Sequence, residues 1–199
     1  MSSRYASFEG LTVTFSENVL TVMLDNPPLN AMTSEAHHEL GRIWAIAGAD
    51  PEVRVIVITG GGDRAFCAGG DLNRMIENWP DRGRWQIGMV EARAIVVGML
   101  ECPKPVISRI NGHAMGLGAT IALAGDITII VDDAKIGDSH VNVGLTTGDG
   151  GALLWPNLVG LVEARRHLLS GKPLSGADAK AKGLVTEAVS RDTLDAAVK

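Results

Sequence analysis

Three short aliphatic runs constrain this chain most. Val53–Gly60 (VRVIVITG), Pro105–Ile110 (PVISRI) and Ile127–Val131 (ITIIV) are rich in Val and Ile and nearly continuous in apolar residues. Such runs suit strands covered by helices on both faces, because a parallel sheet buried that way shows no polar alternation. Each run leads through a loop into a helix-like segment, and glycine clusters at the corners. Strand, loop and helix in repeated order favour a layered α/β fold around one core. Glycine at the corners lets main-chain N–H groups approach a ligand without a Cβ in the way.

The flanking segments fit the same architecture. Leu11–Phe15 and Val19–Leu24 read as a hairpin around Ser16–Asn18. Thr33 or Ser34 is placed to cap a helix running to about Ala47, with Ala36, Leu40, Ile43, Trp44 and Ala47 as its apolar stripe. Gly60–Asp71 reads as a glycine-rich loop in which Asp71 caps a short helix. A longer helix is expected over roughly Arg84–Leu100, with Ile87, Val90, Ala94 and Val97 on one side, ended by Pro103 and Pro105. Asn111–Asp126 reads as a turn and a small-residue helix. Further helices fall near Gly151–Leu158, Val162–Ser170 and Gly176–Ala181, with a last strand at Val185–Val189. No repeat or linker divides the 199 residues, so residues 1–199 are expected to form one domain.

Composition removes several classes of function. The net charge of −5, with no basic stretch, argues against a nucleic-acid partner. Aromatic residues at 4% leave little for stacking bases. The most apolar stretch, Ala114–Val131, is interrupted by Asp126 and dense in Gly and Ala, unlike a membrane span. Cys67 and Cys102 form no CxxC pair, and the first residues lack an apolar signal core, so a reduced cytoplasmic setting is expected. Cys67 reads as a small buried filler. Gly60, Gly62 and Ala65 imitate a dinucleotide fingerprint, but the region about 20 residues on, WPDRGRW, is not a strand end with an acidic residue. Gly171–Lys172 fails as a phosphate loop, with Arg166 and Pro173 at positions that need Gly and Ser or Thr.

Two segments are more specific. RAFCAGGDL (Arg64–Leu72) and INGHAMGLGATIALAGDI (Ile110–Ile127) resemble the paired motifs of the crotonase superfamily, the enoyl-CoA hydratases, isomerases and their relatives. PPLNAM (Pro27–Met32), AKIGDSHVNVGL (Ala134–Leu145) and PLSGADAKAKGLVTEAV (Pro173–Val189) resemble further family segments in the same order, covering about Leu11 to Val189. The resemblance implies a ClpP-like crotonase fold of stacked ββα units surrounded by helices. Family members usually continue further as helices, so a truncated C-terminal helical part is expected. It also implies an oxyanion hole, in which two backbone N–H groups hold a thioester carbonyl as an enolate forms. By position those donors are Gly70 and Leu117, the latter where the family usually has Gly. Ala68, Gly69, Asp71, Leu72, Gly116 and Thr120 would surround the substrate. An acyl-CoA substrate carrying its own CoA, no metal or redox cofactor, and a homotrimer or hexamer are the family expectation.

The acid and base groups depart from that pattern. The two glutamates of hydratases fall on Thr120 and His140. Asp149 follows His140 by nine residues, in TTGDGG, and is expected to orient its ring for general-base work at neutral pH. Asp149 also suits a loop or helix-cap role. The His–Asp pair resembles the β-diketone hydrolase branch of the superfamily, which makes retro-Claisen C–C cleavage an alternative. A non-catalytic acyl-CoA binder is another. His37, on the first helix, is either a second proton carrier or a half-buried surface histidine. His38 is expected in solvent, His113 in a structural role or on the pocket, and His167 on the surface. No HxH or HExxH spacing occurs, and the carboxylates are not expected to cluster with the histidines, hence no metal site is expected.

Overall fold

The computed structural model describes residues 3–78 and 80–199. Trp79, the first residue of the WPDRGRW segment, lies outside the described residues.

A 3₁₀ turn at Ser3–Tyr5 precedes a hairpin. β1 (Thr12–Ser16) pairs antiparallel with β2 (Val19–Leu24) across Glu17 and Asn18. Both turn residues have positive φ, 52° and 64°, the geometry whose twist matches the strands of a two-residue hairpin. α1 (Ser34–Ala49) follows, with the Thr33 side chain accepting from Ala36 N as N-cap. Ala36, Leu40, Ile43, Trp44 and Ala47 are its buried face, as the spacing predicts.

Three ββα units come next. Each sends a long strand into one sheet and a short strand into another. β3 (Val55–Gly60) is followed by β4 (Ala65–Cys67) and α2 (Leu72–Asn78), then by α3 (Arg82–Leu100). β5 (Val106–Ile110) leads to β6 (His113–Met115) and α4 (Leu117–Leu123). β7 (Ile127–Val131) leads to β8 (Lys135–Gly137), a 3₁₀ turn at His140–Val143 and α5 (Gly151–Ser170). β9 (Leu174–Ser175), α6 (Gly176–Ala181), β10 (Glu187–Val189) and α7 (Leu194–Val198) complete the described chain. The large sheet runs β1-β2-β3-β5-β7-β10, parallel beyond the first hairpin. The small sheet runs β4-β6-β8-β9.

The sequence shows no sign of the four strands of the small sheet: Ala65–Cys67 reads as loop, His113–Met115 as turn and helix start, and Lys135–Gly137 and Leu174–Ser175 as no element. They are two or three residues long, too short for a period of two to register. α3 also differs. Its buried residues are Ala92, Ile95, Val96 and Met99, while Ile87 and Val90 are exposed. Apolar residues surround this helix on nearly every side, so spacing alone cannot choose the inward face. α5 is two helices in effect, because Gly160 breaks it with φ 77°, as the expected boundary requires.

Close contacts fix the layers. α1 and α3 meet at small residues, where a Cβ on Gly98 would sit 2.9 Å from Trp44 Cδ1. Asn111 ties the ends of β3 and β5 together, accepting from Gly60 N at 3.0 Å and donating to Gly62 O at 2.7 Å. α4 is buried along its whole length. Among the described residues no helix is long and apolar enough to cross a membrane. Cys67 is fully buried, and burial pushes its thiol up to about 12, which fits the filler role.

Candidate active site

The site begins at two glycine corners that the fold presses together. Asn30, with φ 53°, donates from Nδ2 to Gly61 O at 2.9 Å and Ala65 O at 2.8 Å. That anchors the Pro27–Met32 corner against the loop. Met32 N then donates to Gly69 O at 2.8 Å, so the Gly69–Gly70 peptide is held from its carbonyl side. Gly69 has φ 92°, and a Cβ there would lie 2.8 Å from Met115 O and 3.5 Å from Leu117 N. A Cβ on Gly118 would penetrate the Cys67 carbonyl. Glycine at both positions lets the start of α4 approach β4.

Gly70 and Leu117 both line a cavity of about 590 Å³, and among the described residues neither N–H makes a hydrogen bond to protein. Leu117 does not have a positive φ, so the departure from glycine costs no backbone strain. Its side chain is buried and forms part of the wall. Asp71 lines the same cavity and caps α2, accepting from Asn73 N and Arg74 N. Ala68, Gly69, Leu72, Gly116 and Thr120 do not line it. Leu72 points half-exposed to solvent, Gly69 and Gly116 shape the backbone behind the amides, and Thr120 sits buried beneath the floor.

His140 and Asp149 also meet in the cavity wall, because the segment between them folds back over it. His140 Nε2 lies 3.2 Å from Asp149 Oδ2. A residue the sequence reading missed completes the row. Asp138 Oδ1 is 2.7 Å from His140 Nδ1 and also accepts from His140 N at 3.1 Å. Thr147 Oγ1 donates to Asp138 Oδ2, and Thr120 Oγ1 donates to Asp149 Oδ1 at 3.0 Å. Its signal was the Asp two residues before His140 in GDSH, a spacing that brings a side chain back to a ring nitrogen in a tight turn.

This arrangement corrects three expectations. Carboxylates do cluster with a histidine: ligand-type atoms of Asp138, His140 and Asp149 all lie within 4.8 Å of one another. Each carboxylate meets a different ring nitrogen: Nδ1 is hydrogen-bonded to Asp138, and Nε2 makes an ion-pair contact with Asp149. The ring's orienting carboxylate is Asp138, the more buried of the two, rather than Asp149 alone. Nor is the imidazole uncharged at neutral pH. Hydrogen bonds to Asp138 and then Asp149 outweigh burial and raise His140 to about 10. Burial works against ionised Asp138, yet the donors His140 and Thr147 hold its carboxyl below the usual value. Asp149 Oδ2 is buried without a well-aligned hydrogen bond.

His37 lines the cavity from α1, with Nδ1 2.8 Å from Glu91 Oε2. His38, exposed as expected, places Nδ1 2.9 Å from Glu91 Oε1. His113 is exposed, accepts from Lys135 N at 3.0 Å and does not line the cavity. His167 is not on the surface. It is buried, donates to Lys172 O at 3.0 Å and packs at 5.6 Å from the Trp155 ring. One side of α5 faces inward there, which two neighbouring arginines in sequence had obscured.

Residues 14–198 match the family description "Enoyl-CoA hydratase/isomerase". The chain belongs to that family. Carnitinyl-CoA dehydratase of Proteus mirabilis is 32% identical over 186 residues, covering 94% of this chain and 70% of the relative. (E)-benzylidenesuccinyl-CoA hydratase of Thauera aromatica is 32% identical over 185 residues, covering 92% and 71%. A crystal structure of an enoyl-CoA hydratase/isomerase from Mycobacterium paratuberculosis superposes with a TM-score of 0.89 at 35% identity, covering 95% of this chain and 75% of that one. DspI of Pseudomonas aeruginosa superposes at 0.92 with 27% identity, covering 99% and 74%. The fold is therefore the crotonase fold, and the relatives are hydratases and dehydratases of CoA thioesters.

Proposed function

We propose that this chain adds water reversibly across the double bond of an enoyl-CoA thioester, with His140 and Asp149 in place of the family's two glutamates. The Gly70 and Leu117 amides would hold the thioester oxygen as negative charge moves onto it. Preorganised donors of this kind are worth about 3–4 kcal/mol each. The Asp149 carboxylate, which lines the cavity, takes a proton from the attacking water as oxygen bonds to the β-carbon. Charged His140 gives its Nε2 proton to the α-carbon as the enolate collapses. Proton transfer from Asp149 back to Nε2, across 3.2 Å, restores the resting pair. Such general acid–base pairs contribute roughly 10²–10⁴-fold in rate.

One observation carries this reading: a buried Asp149 carboxylate oxygen in the cavity wall, lacking an aligned donor and facing a charged imidazole. The test is incubation with crotonyl-CoA followed by mass spectrometry for gain of one water. Asp149→Asn should then lower kcat by about 10²-fold or more while leaving thioester binding in place. An unchanged kcat would sink the assignment. Retro-Claisen cleavage of a β-diketone remains the second reading, favoured by the row of carboxylate, imidazole and carboxylate, which suits water activation without CoA. C–C cleavage of a diketone with no hydration of crotonyl-CoA would select it, and binding without either reaction would select the acyl-CoA binder. A homotrimer or hexamer belongs to the same reading, supported by exposed apolar side chains along α5.

A further inference from the structure

A second polar pair stands in the cavity, on the wall made by α1 and α3. Met32, Met75, Ile87, Met89 and Leu145 give the cavity an apolar lining suited to an acyl chain. His37 and Glu91 interrupt it on the α1–α3 wall, and Ser34, Asp71, Arg74 and Arg84 add polar groups elsewhere in the lining. A carboxylate only accepts hydrogen bonds, so the 2.8 Å contact puts a proton on His37 Nδ1. His37 Nε2 has no protein partner among the described residues, although the side chain is mostly buried. Glu91 is itself largely buried and receives His38 on its other oxygen at 2.9 Å. Two histidine donors from adjacent positions of α1 thus fix both carboxylate oxygens, and Glu91 in turn fixes the ring of His37. Gly41 allows this approach, since a Cβ there would already sit 3.3 Å from Ala94 Cβ.

We infer that Glu91 is a positioning residue that aims His37 Nε2 into the acyl cavity, so that the site selects thioesters bearing an oxygen function on the acyl group away from the thioester. The inference rests on the acyl-thioester reading above and names the substrate class within it. Neutral His37 would accept from a hydroxyl, and charged His37 would donate to a carboxylate. A purely hydrocarbon acyl chain would leave Nε2 facing apolar atoms without a partner, and desolvating an unpaired polar atom is costly.

The experiment measures Kd by calorimetry for hexenoyl-CoA, its terminal hydroxyl derivative and its terminal carboxylate derivative. The expected result is that one oxygenated thioester binds about tenfold or more tightly than the hydrocarbon one. Glu91→Gln, which offers one acceptor oxygen to two competing histidines and a donating amide nitrogen in place of the other, should shrink that ratio, and His38→Ala, which leaves a carboxylate oxygen on His37 Nδ1, should keep it. Should Glu91→Gln fail to fold, His37→Gln gives the same reading. Equal binding of all three thioesters by the wild type overturns the inference. So does a Glu91→Gln variant that weakens all three equally, because Glu91 would then only fasten α1 to α3. Absence of binding by any of them overturns it too. The ratio is read from binding, so failure to hydrate any thioester counts against the hydratase reading alone.

Discussion

His140 is held as a cation between two carboxylates, and that determines how its loss reads out. Its folded pKa of about 10 stands above the ordinary 6.5. Its contribution to stability is therefore complete below about 6.5 and is lost as pH rises through about 10. Asp138, depressed in the fold, contributes above its ordinary 3.8 and loses that contribution as the solution becomes more acid. His140→Gln leaves two carboxylates that a single amide cannot serve. Breaking a buried pair in this way costs about 3–5 kcal/mol. Thermal melts of both proteins should differ most between about pH 4 and 6.5, and the gap should close toward pH 10. A gap that stayed constant across this range would show that the imidazole is not charged in the fold. The sequence identified His140 and Asp149 as partners, because a nine-residue return over the pocket belongs to a recognisable segment. It left Asp138 unread, since only the 3₁₀ turn at His140–Val143 decides which carboxylate reaches which ring nitrogen.

At the scale of elements, the approach of α4 to β4 brings the Gly70 and Leu117 amides to one cavity. Gly118 makes that approach possible, because any side chain there meets the Cys67 carbonyl. Gly118→Ala should push the start of α4 away and separate the two amides. A misplacement of about 1 Å costs on the order of 10²-fold in rate, and the overpacking costs about 1–3 kcal/mol in stability. Far-ultraviolet circular dichroism should remain that of the wild type while kcat/KM for the thioester falls. Unchanged kcat/KM would mean that the amides are not the oxygen-binding groups. Legibility at this scale follows contrast. α1 shows one apolar stripe against polar neighbours, so its buried face could be read. α3 has apolar residues on nearly all sides, and its inward face is chosen only by packing against α1 and the core. The small sheet was hidden for a different reason, since its strands are held by pairing across the ββα units rather than by a pattern of their own.

For the whole molecule, order along the chain was readable because β3, β5 and β7 each carry their own aliphatic run, with β3 and β7 buried on both faces over most of their length and β5 buried at alternate residues. What those runs leave open is the outer surface. Along α5, Leu153, Leu161, Val162 and Leu169 are exposed, the last two at 80% and 75%, and Val141 and Val143 lie exposed on the preceding turn. Scattered apolar residues are normal on a surface, but a contiguous apolar face marks a place where another surface packs. If that surface belongs to further copies of this chain, charging it should dissociate them while sparing the core, because these side chains contribute little to folding of one protomer. The double variant Val162→Glu, Leu169→Glu should sediment near the 20.9 kDa protomer mass, with the wild type sedimenting at three or six times that mass. Its melting temperature should become independent of concentration, since assembly stabilises a protomer only by mass action. Wild-type protein sedimenting as a protomer at working concentrations would refute self-assembly through this face. A variant that stays assembled would move the interface to another part of the surface.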